Sequence, residues 1–339
     1  MTEQLESVAY ALVDDGKGIL AADESFGTIK KRFDQINVDS TEDARRDYRE
    51  LLFRSEEAMT KYISGVILFD ETIRQNAKDG TPLVDLITGA GSIPGIKVDA
   101  GAKQLAGSLG EKVTEGLDGL RERFAEYYDL GARFSKWRAV ITIGERIPSH
   151  ACLKANSHAL ARYAALAQEA NIVPIVEPEV LMDGLHDIDE CLEVTEAALK
   201  SLFDELYDQD VYLEGIVLKP NMVISGAQSE SQASVEEIAE QTVLCLMRTV
   251  PAAVPGICFL SGGQSEEQAT QNLSMMNAVY DTPWALTFSY GRALQQAALK
   301  AWQGREENVA AAQAAFTHRA RMNSLAALGK WAPELENAA

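Results

Sequence analysis

A lysine that could act as a nucleophile closes one of the short apolar runs of the sequence. Lys219 follows the run from Tyr212 to Leu218 and precedes Pro220, which cannot continue the hydrogen bonding of a strand. Burial removes hydration from an ammonium group, so a buried lysine has a lowered pKa and its neutral amine can attack a carbonyl carbon. A lysine at a strand end can also extend its stem and keep its charge in solvent. Lys219 alone leaves both interpretations open.

Other polar residues that suit catalysis stand at or near the ends of similar runs. Side chains alternate along a strand, so Lys136 and Arg138 share one face of their strand, and Glu177 and Glu179 share one face of another. Each of these residues alone could be an ion-pair partner, but so many at equivalent positions are typical of one active site. The full set is Asp23, Lys97, Lys136, Arg138, Glu177, Glu179, Lys219, Ser261 and Ser289.

The types of these residues indicate carbonyl chemistry. Because Lys97, Lys136 and Lys219 would repel one another, we expect a lowered pKa for at least one of them. A neutral lysine forms a Schiff base with a ketone, and the resulting iminium accepts electrons without any cofactor. Asp23 and Glu177 are the carboxyls that could move the protons, and the apolar neighbours of Glu177 predict a raised pKa for it. The sequence therefore predicts an enzyme that needs no cofactor.

Eight short apolar runs alternate with helix-like segments along the chain. This alternation is the pattern of a single (β/α)8, or TIM, barrel, whose catalytic face lies at the carboxyl ends of its strands. Ser234 with Glu237, and Ser265 with Gln268, have capping-box spacing and are predicted to open the helices after the sixth and seventh strands. The predicted strands are 18–23, 65–69, 95–99, 134–141, 172–179, a sixth that ends at Lys219, 256–263 and 284–291. Helices are predicted within 2–13, 42–62, 154–170, 189–208 and 292–330, the first and last as additions to the barrel.

Two groups of residues could bind anions at this face. The sequences SGG at 261–263 and GR at 291–292 follow the seventh and eighth strands, where such barrels often bind phosphate on backbone N–H groups. Plain turns would explain the glycines alone. A second anion-binding site could be formed on the opposite side by Lys97, Arg138 and the segment 25–32. These two anion-binding sets are the first and second anion groups. A substrate with a phosphate at each end and a carbonyl between them would match both groups.

Composition limits the classes of function. The formal net charge of −20 disfavours general binding to nucleic acid or to anionic membranes, yet it permits a small anionic substrate in a local cationic pocket. The cysteines are far apart, the first residues do not resemble a signal peptide, and no apolar run has membrane length, which together predict a reduced cytoplasmic protein. The histidines lack the spacing of metal ligands, so no metal is predicted. No linker divides the chain, and we expect one catalytic domain over 1–331 with a short tail over 332–339.

The sequence resembles the class I fructose-bisphosphate aldolases in these same stretches. The resemblance runs in order from about residue 16 to residue 330. The matching stretches are GKGILAADES at 16–25, GVILFDETI at 65–73, GIKVD at 95–99, KWR at 136–138, GERIPS at 144–149, IVPIVEPE at 172–179, LKPNMV at 218–223, FLSGGQSEE at 259–267 and PWALTFSYGRALQ at 283–295.

The resemblance implies a reaction of glycolysis and gluconeogenesis, the reversible cleavage of fructose 1,6-bisphosphate into dihydroxyacetone phosphate and glyceraldehyde 3-phosphate. It implies that Lys219 forms the Schiff base, that Glu177 is the main general acid and base, and that Glu179 positions its neighbours. It implies that Lys136 and Asp23 assist carbinolamine conversion and carbon–carbon cleavage, without a cofactor or a metal. One phosphate would bind to Ser261, Gly262, Gly263, Ser289, Gly291 and Arg292, and the other to Ser25, Thr28, Arg32, Lys97 and Arg138.

The end of the chain departs from the animal and plant members that it resembles. Those members typically end in a flexible tail with a terminal tyrosine that helps proton transfer on the enamine, whereas Tyr290 is the last tyrosine of this sequence. The group that carries the proton at C3 is therefore left open. The short tail indicates a bacterial member, and the family resemblance implies a homotetramer.

Three alternatives remain at the level of the sequence. The same Schiff-base mechanism could act on another phosphoketose, such as fructose 1-phosphate or sedoheptulose 1,7-bisphosphate. A non-catalytic scaffold is disfavoured because it would need none of Lys219, Glu177, Lys136 and Asp23. A metal-dependent aldolase is disfavoured because suitable histidine ligands are missing.

Overall fold

Eight parallel strands close into a barrel, as the alternating pattern predicted. The computed structural model describes residues 2–337, and within it each barrel strand is hydrogen-bonded to two neighbours in the order β1-β2-β3-β6-β7-β8-β9-β10, with β10 returning to β1. A separate antiparallel hairpin is formed by β4 and β5. The strands are β1 Gly18–Ala22, β2 Ile63–Leu68, β3 Ile93–Lys97, β4 Ala102–Gln104, β5 Lys112–Thr114, β6 Phe134–Ile141, β7 Val173–Val180, β8 Val217–Leu218, β9 Gly256–Phe259 and β10 Ala285–Tyr290.

Helices surround the barrel and follow its strands. The helices are α1 Thr2–Leu12, α2 Phe26–Asp34, α3 Glu42–Phe53, α4 Glu56–Lys61, α5 Asp70–Ile73, α6 Leu83–Gly89, α7 Leu120–Asp129, α8 His150–Glu169, α9 Ile188–Asp208, α10 Val235–Thr249, α11 Glu266–Val279, α12 Arg292–Trp302 and α13 Val309–Ala327. Short 3-10 helices cover Leu213–Gly215, Glu306–Asn308 and Pro333–Asn337. None of the helices in residues 2–337 is both long and apolar enough to cross a bilayer.

The TIM barrel is confirmed, with local differences from the sequence prediction. Every predicted strand is present, and both capping boxes form at the starts of α10 and α11. The charged segment 42–62 is two helices rather than one, and the break falls at Arg54 and Ser55. Ser55 Oγ donates to the Leu51 carbonyl, a local bond that competes with continuation of the helix. The ladder of the sixth barrel strand is also shorter than expected, because residues 213–215 are 3-10 helix.

The barrel interior below the site is apolar, and α1 covers its amino-terminal end. Leu5, Ala9 and Leu12 of α1 are buried with the interior side chains of the strands. The Phe134 ring occupies the space beside Gly95, where any Cβ would collide with it. The floor beneath the polar residues is therefore dry and closely packed.

The last described residues fold back on the barrel helices. Glu336, in the 3-10 helix Pro333–Asn337, pairs with the buried Arg319 of α13 and accepts a 2.9 Å hydrogen bond from the Trp331 indole N–H. The domain boundary at residue 331 stays a prediction, and the ends of the predicted ranges, at residues 1, 338 and 339, lie outside the described residues.

Candidate active site

A cavity of about 820 Å³ opens at the carboxyl ends of the barrel strands. The predicted residues come from β1, β3, β6, β7, β8, β9 and β10 or from the loops and helices that follow them. Because parallel strands in a closed barrel all end at one rim, residues distant in sequence meet there. Lining the cavity are all the predicted site residues, namely Asp23, Ser25, Thr28, Arg32, Lys97, Lys136, Arg138, Glu177, Glu179, Lys219, Ser261, Gly262, Gly263, Ser289, Gly291 and Arg292.

Lys219 lies buried in this cavity immediately after β8. Its backbone N–H donates to the Val176 carbonyl at 2.9 Å, which fixes the lysine to the neighbouring strand β7. Its ammonium Nζ lies 3.3 Å from Glu177 Oε1, and only 5% of its side chain is exposed. The interpretation that Lys219 extends into solvent is therefore wrong. The amine is held where a bound ketone could reach it.

Lys136 lies between two carboxylates. Its Nζ is 2.8 Å from Asp23 Oδ2 and 3.4 Å from Glu177 Oε2. Burial alone would lower the pKa of Lys136, but attraction to Asp23 and Glu177 outweighs it and raises that pKa above its ordinary value. Mutual repulsion among the lysines is thus outweighed at this residue, and Lys136 stays protonated.

Asp23 is held in its charged form. Burial favours the protonated carboxyl, yet attraction to Lys136 and Lys219 lowers the pKa of Asp23 to about 2. Glu177 is the one member of this cluster that lies within 3.4 Å of both lysines. The Asp23 and Glu177 carboxyl groups thus lie against the Lys136 and Lys219 amines, and such pairing offsets the cost of burying ionisable groups. A proton could pass between Lys219 and Glu177 without a further carrier.

The strand alternation predicted from the sequence is confirmed at β6. Lys136 and Arg138 face the cavity, whereas Trp137 is fully buried on the opposite face. The Trp137 ring stacks on Tyr163 of α8, with 5.5 Å between the ring centroids. This outer packing fixes the strand whose inner side carries both cations.

The first predicted anion group surrounds the ends of β9 and β10. Gly262 and Gly263 have positive φ angles of 51° and 85°, which favour glycine and turn the loop sharply. A Cβ on Gly263 would meet the Met182 sulfur, so a larger residue there would have to displace that side chain. The loop leads directly into the capped start of α11, and the Arg292 guanidinium donates to the Gln264 carbonyl at 3.2 Å. Backbone N–H groups and a cation therefore converge on one side of the cavity.

The second predicted anion group holds its cations in ion pairs. Lys97 Nζ lies 2.6 Å from Asp99 Oδ1, and Arg138 pairs with Glu179. The pKa of Arg138 is raised, because attraction to Glu179 outweighs its burial. Glu179 thus fixes the guanidinium of a neighbouring strand, and the positioning role predicted for it stays a prediction. Lys97 and Arg138 lie on β3 and β6, across the barrel from β9 and β10.

Arg32 lies nearer to the first group than the sequence analysis placed it. One guanidinium nitrogen is 3.3 Å from the position that a Cβ on Gly291 would take, and the guanidinium pairs with Glu24. Through Arg32, helix α2 therefore reaches toward the end of β10, the barrel neighbour of β1. The assignment of Arg32 to the second phosphate stays a prediction.

Three residues of the site were missed by sequence reasoning. Asp99 lines the cavity and stands two positions after Lys97, a spacing that placed it on the same face and could have identified it. Glu24 directly follows Asp23, and its carboxylate pairs with Arg32 and lies 3.8 Å from Arg49. Arg49 comes from α3, is 1% exposed and donates to the Glu24 carbonyl at 3.0 Å. No local pattern in the sequence distinguishes Arg49 from the other arginines of its helix.

Comparison with known proteins gives one consistent result. The family model described as fructose-bisphosphate aldolase class-I matches residues 4–339. A protein of Xanthomonas axonopodis pv. citri named probable fructose-bisphosphate aldolase class 1 is 61% identical over 330 residues, which cover 97% of this chain and 98% of that protein. The cytoplasmic fructose-bisphosphate aldolase isozyme of Spinacia oleracea is 56% identical over 330 residues, which cover 97% and 92%. The solved structure of the Plasmodium falciparum aldolase with TRAP and an inhibitor has a TM-score of 0.96 and 49% identity, covering 98% of this chain and 96% of that one.

Proposed function

Because the chain belongs to the class I fructose-bisphosphate aldolases, we propose that it cleaves fructose 1,6-bisphosphate through a Schiff base on Lys219. The chain is a lyase, and the products of the reversible reaction are dihydroxyacetone phosphate and glyceraldehyde 3-phosphate. The observation that carries the proposal is the position of Glu177, within 3.4 Å of both the nucleophile Lys219 and the protonated Lys136. A group in contact with both lysines can move protons in each step of imine chemistry.

Schiff-base formation begins with transfer of a proton from Lys219 to Glu177. The neutral amine then attacks the C2 carbonyl carbon, and a proton moves from the attacking nitrogen to the former carbonyl oxygen, which becomes the hydroxyl of the neutral carbinolamine. Glu177 returns its proton to that hydroxyl, which leaves as water, and the nitrogen becomes a cationic iminium. Asp23 supports this step by keeping Lys136 charged beside the departing oxygen.

Cleavage of the carbon–carbon bond uses the iminium as an electron sink. Glu177, which lost its proton in the dehydration, accepts the proton of the C4 hydroxyl. The C3–C4 bond breaks, its electron pair forms the enamine with the Lys219 nitrogen, and C4 leaves as the aldehyde of glyceraldehyde 3-phosphate. Protonation at C3 and hydrolysis of the iminium release dihydroxyacetone phosphate and restore the lysine.

The two anion groups would hold the phosphates at the ends of the substrate. Support comes from their positions, since one group lies at β9 and β10 and the other at β3 and β6, on opposite sides of Lys219. Backbone N–H groups of 261–263 would bind one phosphate, and Lys97 and Arg138 the other. Binding both ends would hold the C2 carbonyl against the amine and lower the entropic cost of attack.

A cytoplasmic homotetramer is the form we propose for the enzyme. The names of plant relatives describe cytoplasmic and cytosolic isozymes, and they support the proposed compartment. The tetramer rests on the family resemblance, and light scattering of the purified protein would measure it directly. A mass of one or two chains at micromolar concentration would contradict it.

Borohydride trapping tests the proposed mechanism. Reduction in the presence of dihydroxyacetone phosphate should fix a stable adduct on Lys219, located by peptide mass mapping, with or without EDTA. Lys219→Met should abolish turnover and trapping while phosphate-ligand binding is largely retained. An adduct on Lys97 or Lys136, or turnover by Lys219→Met, would contradict the assignment.

A further inference from the structure

An exposed aromatic ring stands at the edge of the cavity beside the second anion group. Phe26 is the first residue of α2, and 53% of it is exposed. It lies between Ser25 and Thr28, which both line the cavity and whose hydroxyl oxygens are 3.2 Å apart. A large exposed apolar side chain at this position gains little from burial, so its other contacts must account for its orientation.

Two contacts hold the Phe26 ring in place. It meets the Phe69 ring edge-on, with 5.2 Å between the centroids and 85° between the planes, and Phe69 itself lines the cavity. The Arg45 guanidinium lies over the Phe26 ring, 4.9 Å from its centroid. Phe26 thus joins the turn after β1 to the loop after β2.

Arg45 is itself fixed, so that it can serve as an anchor for the ring. Its Nε donates to Glu71 Oε2 at 2.8 Å, and a terminal nitrogen donates to the Ser40 carbonyl at 2.6 Å. The Arg45 side chain is 11% exposed, which limits its motion and its screening by solvent. The Phe26 ring therefore holds the first turn of α2 from outside the cavity through its contacts with Phe69 and Arg45.

From inside the fold, the start of α2 is held by the buried Ile29 and by the N–H groups of Thr28 and Ile29, which both donate to the Ser25 carbonyl at 2.9 Å. Ser25 is the N-cap residue, but its side chain accepts no capping hydrogen bond and lies instead beside the Thr28 hydroxyl. Gly27 offers no side chain, and a Cβ there would meet no atom within 4 Å. The Phe26 ring is therefore the side-chain contact that holds the turn of Ser25 and Thr28 from outside the cavity.

We propose that Phe26 is a positioning residue that sets the preference for a substrate with a second phosphate. The inference rests on the proposed function, in which Ser25 and Thr28 help to bind the phosphate remote from the Schiff base. Phe26 touches neither reacting atoms nor the first anion group. Its loss should weaken only the interactions that a singly phosphorylated ketose does not make.

The test compares two substrates on one variant. In Phe26→Ala, kcat/KM for fructose 1,6-bisphosphate should fall about fivefold relative to that for fructose 1-phosphate, mainly through KM. The kcat/KM for fructose 1-phosphate and the yield of the adduct that borohydride traps with dihydroxyacetone phosphate should not change. Phe26→Tyr keeps the ring and should restore the ratio to within about twofold.

Tyr10→Ala is the matched control, because Tyr10 is 57% exposed and lies on α1 at the other end of the barrel. The inference would be overturned if Phe26→Ala left the ratio of the two kcat/KM values unchanged or lowered both values equally. The same change of the ratio in Tyr10→Ala would also overturn it. The failures are distinguishable, because a wild-type protein that does not cleave fructose 1,6-bisphosphate contradicts the proposed function, whereas normal cleavage with an unchanged ratio contradicts only the role of Phe26.

Discussion

At the scale of single residues, the site places its buried lysines against carboxylates. Lys136 faces Asp23 and Glu177, so its charge is stabilised in a place where burial alone would remove it. The proton that moves in the proposed mechanism is therefore the one shared by Lys219 and Glu177. Lys136 supplies a permanent positive charge beside them.

The depressed pKa of Asp23 makes a prediction about stability and pH. The pKa is about 2 in the folded protein and 3.8 in the unfolded chain, so the stabilisation is complete above about pH 4 and is lost as pH falls toward 2. Asp23→Asn should lower the free energy of unfolding by about 2 kcal/mol at pH 7. The difference between wild type and variant should narrow at pH 3, as measured by urea unfolding.

Asp15→Asn is the control for this measurement, since Asp15 is exposed and lies before β1 rather than after it. Its free energy of unfolding should stay within about 0.5 kcal/mol of wild type at both pH values. A constant difference between Asp23→Asn and wild type from pH 7 to pH 3 would show that the carboxylate charge is not what stabilises the fold.

Local sequence was enough to place the predicted site residues at one rim of the barrel, but not to predict the raised pKa of Lys136. Position at the end of a strand and alternation along it are local properties, so Lys219, Glu177 and Arg138 could be found from short stretches. The pKa of Lys136 depends on two carboxylates that lie 113 residues before it and 41 residues after it in the chain, at distances that only the closed barrel defines. Arg49 was missed for the same reason, because its partner Glu24 is brought to it by packing.

At the scale of elements, the helix that follows the Gly-Gly loop begins with a full capping box. Ser265 Oγ accepts from the Gln268 N–H at 3.1 Å, and Gln268 Oε1 accepts from the Ser265 N–H at 3.0 Å. The capping box begins two residues after Gly263, so it fixes the exit of the loop whose N–H groups are proposed to bind phosphate.

Removal of this cap should affect both stability and substrate binding. Ser265→Ala is expected to lower the free energy of unfolding by about 1 kcal/mol and to raise KM for fructose 1,6-bisphosphate. Ser234→Ala removes the equivalent box from α10, which follows a longer loop after Lys219, and should cost similar stability without the change in KM. Equal KM values for the two variants would contradict the proposed coupling of cap and loop.

Element boundaries followed local signals where those signals were strong. Ser-x-x-Glu and Ser-x-x-Gln spacing predicted two helix starts correctly, because a capping box is complete within four residues. The hairpin of β4 and β5 was not predicted, since its short strands are largely exposed and carry no apolar run. The ladder of β8 is short because residues 213–215 form a 3-10 helix, which leaves Val217 and Leu218 to pair with β7 and Leu218 to pair with β9.

At the scale of the whole molecule, the chain end described as a tail is joined to the barrel helices by a buried ion pair. Arg319 is 4% exposed in its side chain, donates to the Thr270 hydroxyl at 2.7 Å and pairs with Glu336. Local sequence could not predict this contact, because neither partner stands in a recognisable motif. Because Glu336 neutralises the buried Arg319 guanidinium, the ion pair stabilises the packing of the 3-10 helix Pro333–Asn337 against α13.

Loss of Glu336 should therefore destabilise the protein although it lies far from the proposed chemistry in sequence. Glu336→Ala is expected to lower the free energy of unfolding by about 3 kcal/mol, because Arg319 would be left buried without its main partner. Glu334→Ala changes an exposed glutamate of the same turn and should have little effect. Similar urea midpoints for both variants would contradict the role assigned to Glu336.

The position of α1 has a consequence for the order of events during synthesis. Its buried face rests on parts of the barrel that are made much later, since Leu5 packs beside Gly215 and Val13, just after the helix, packs beside Gly256. At roughly 5–20 residues per second, tens of seconds can pass before the ribosome delivers those partners. Helix α1 is therefore synthesised before every strand but is among the last elements to pack. Its apolar face stays uncovered in the nascent chain until the barrel closes.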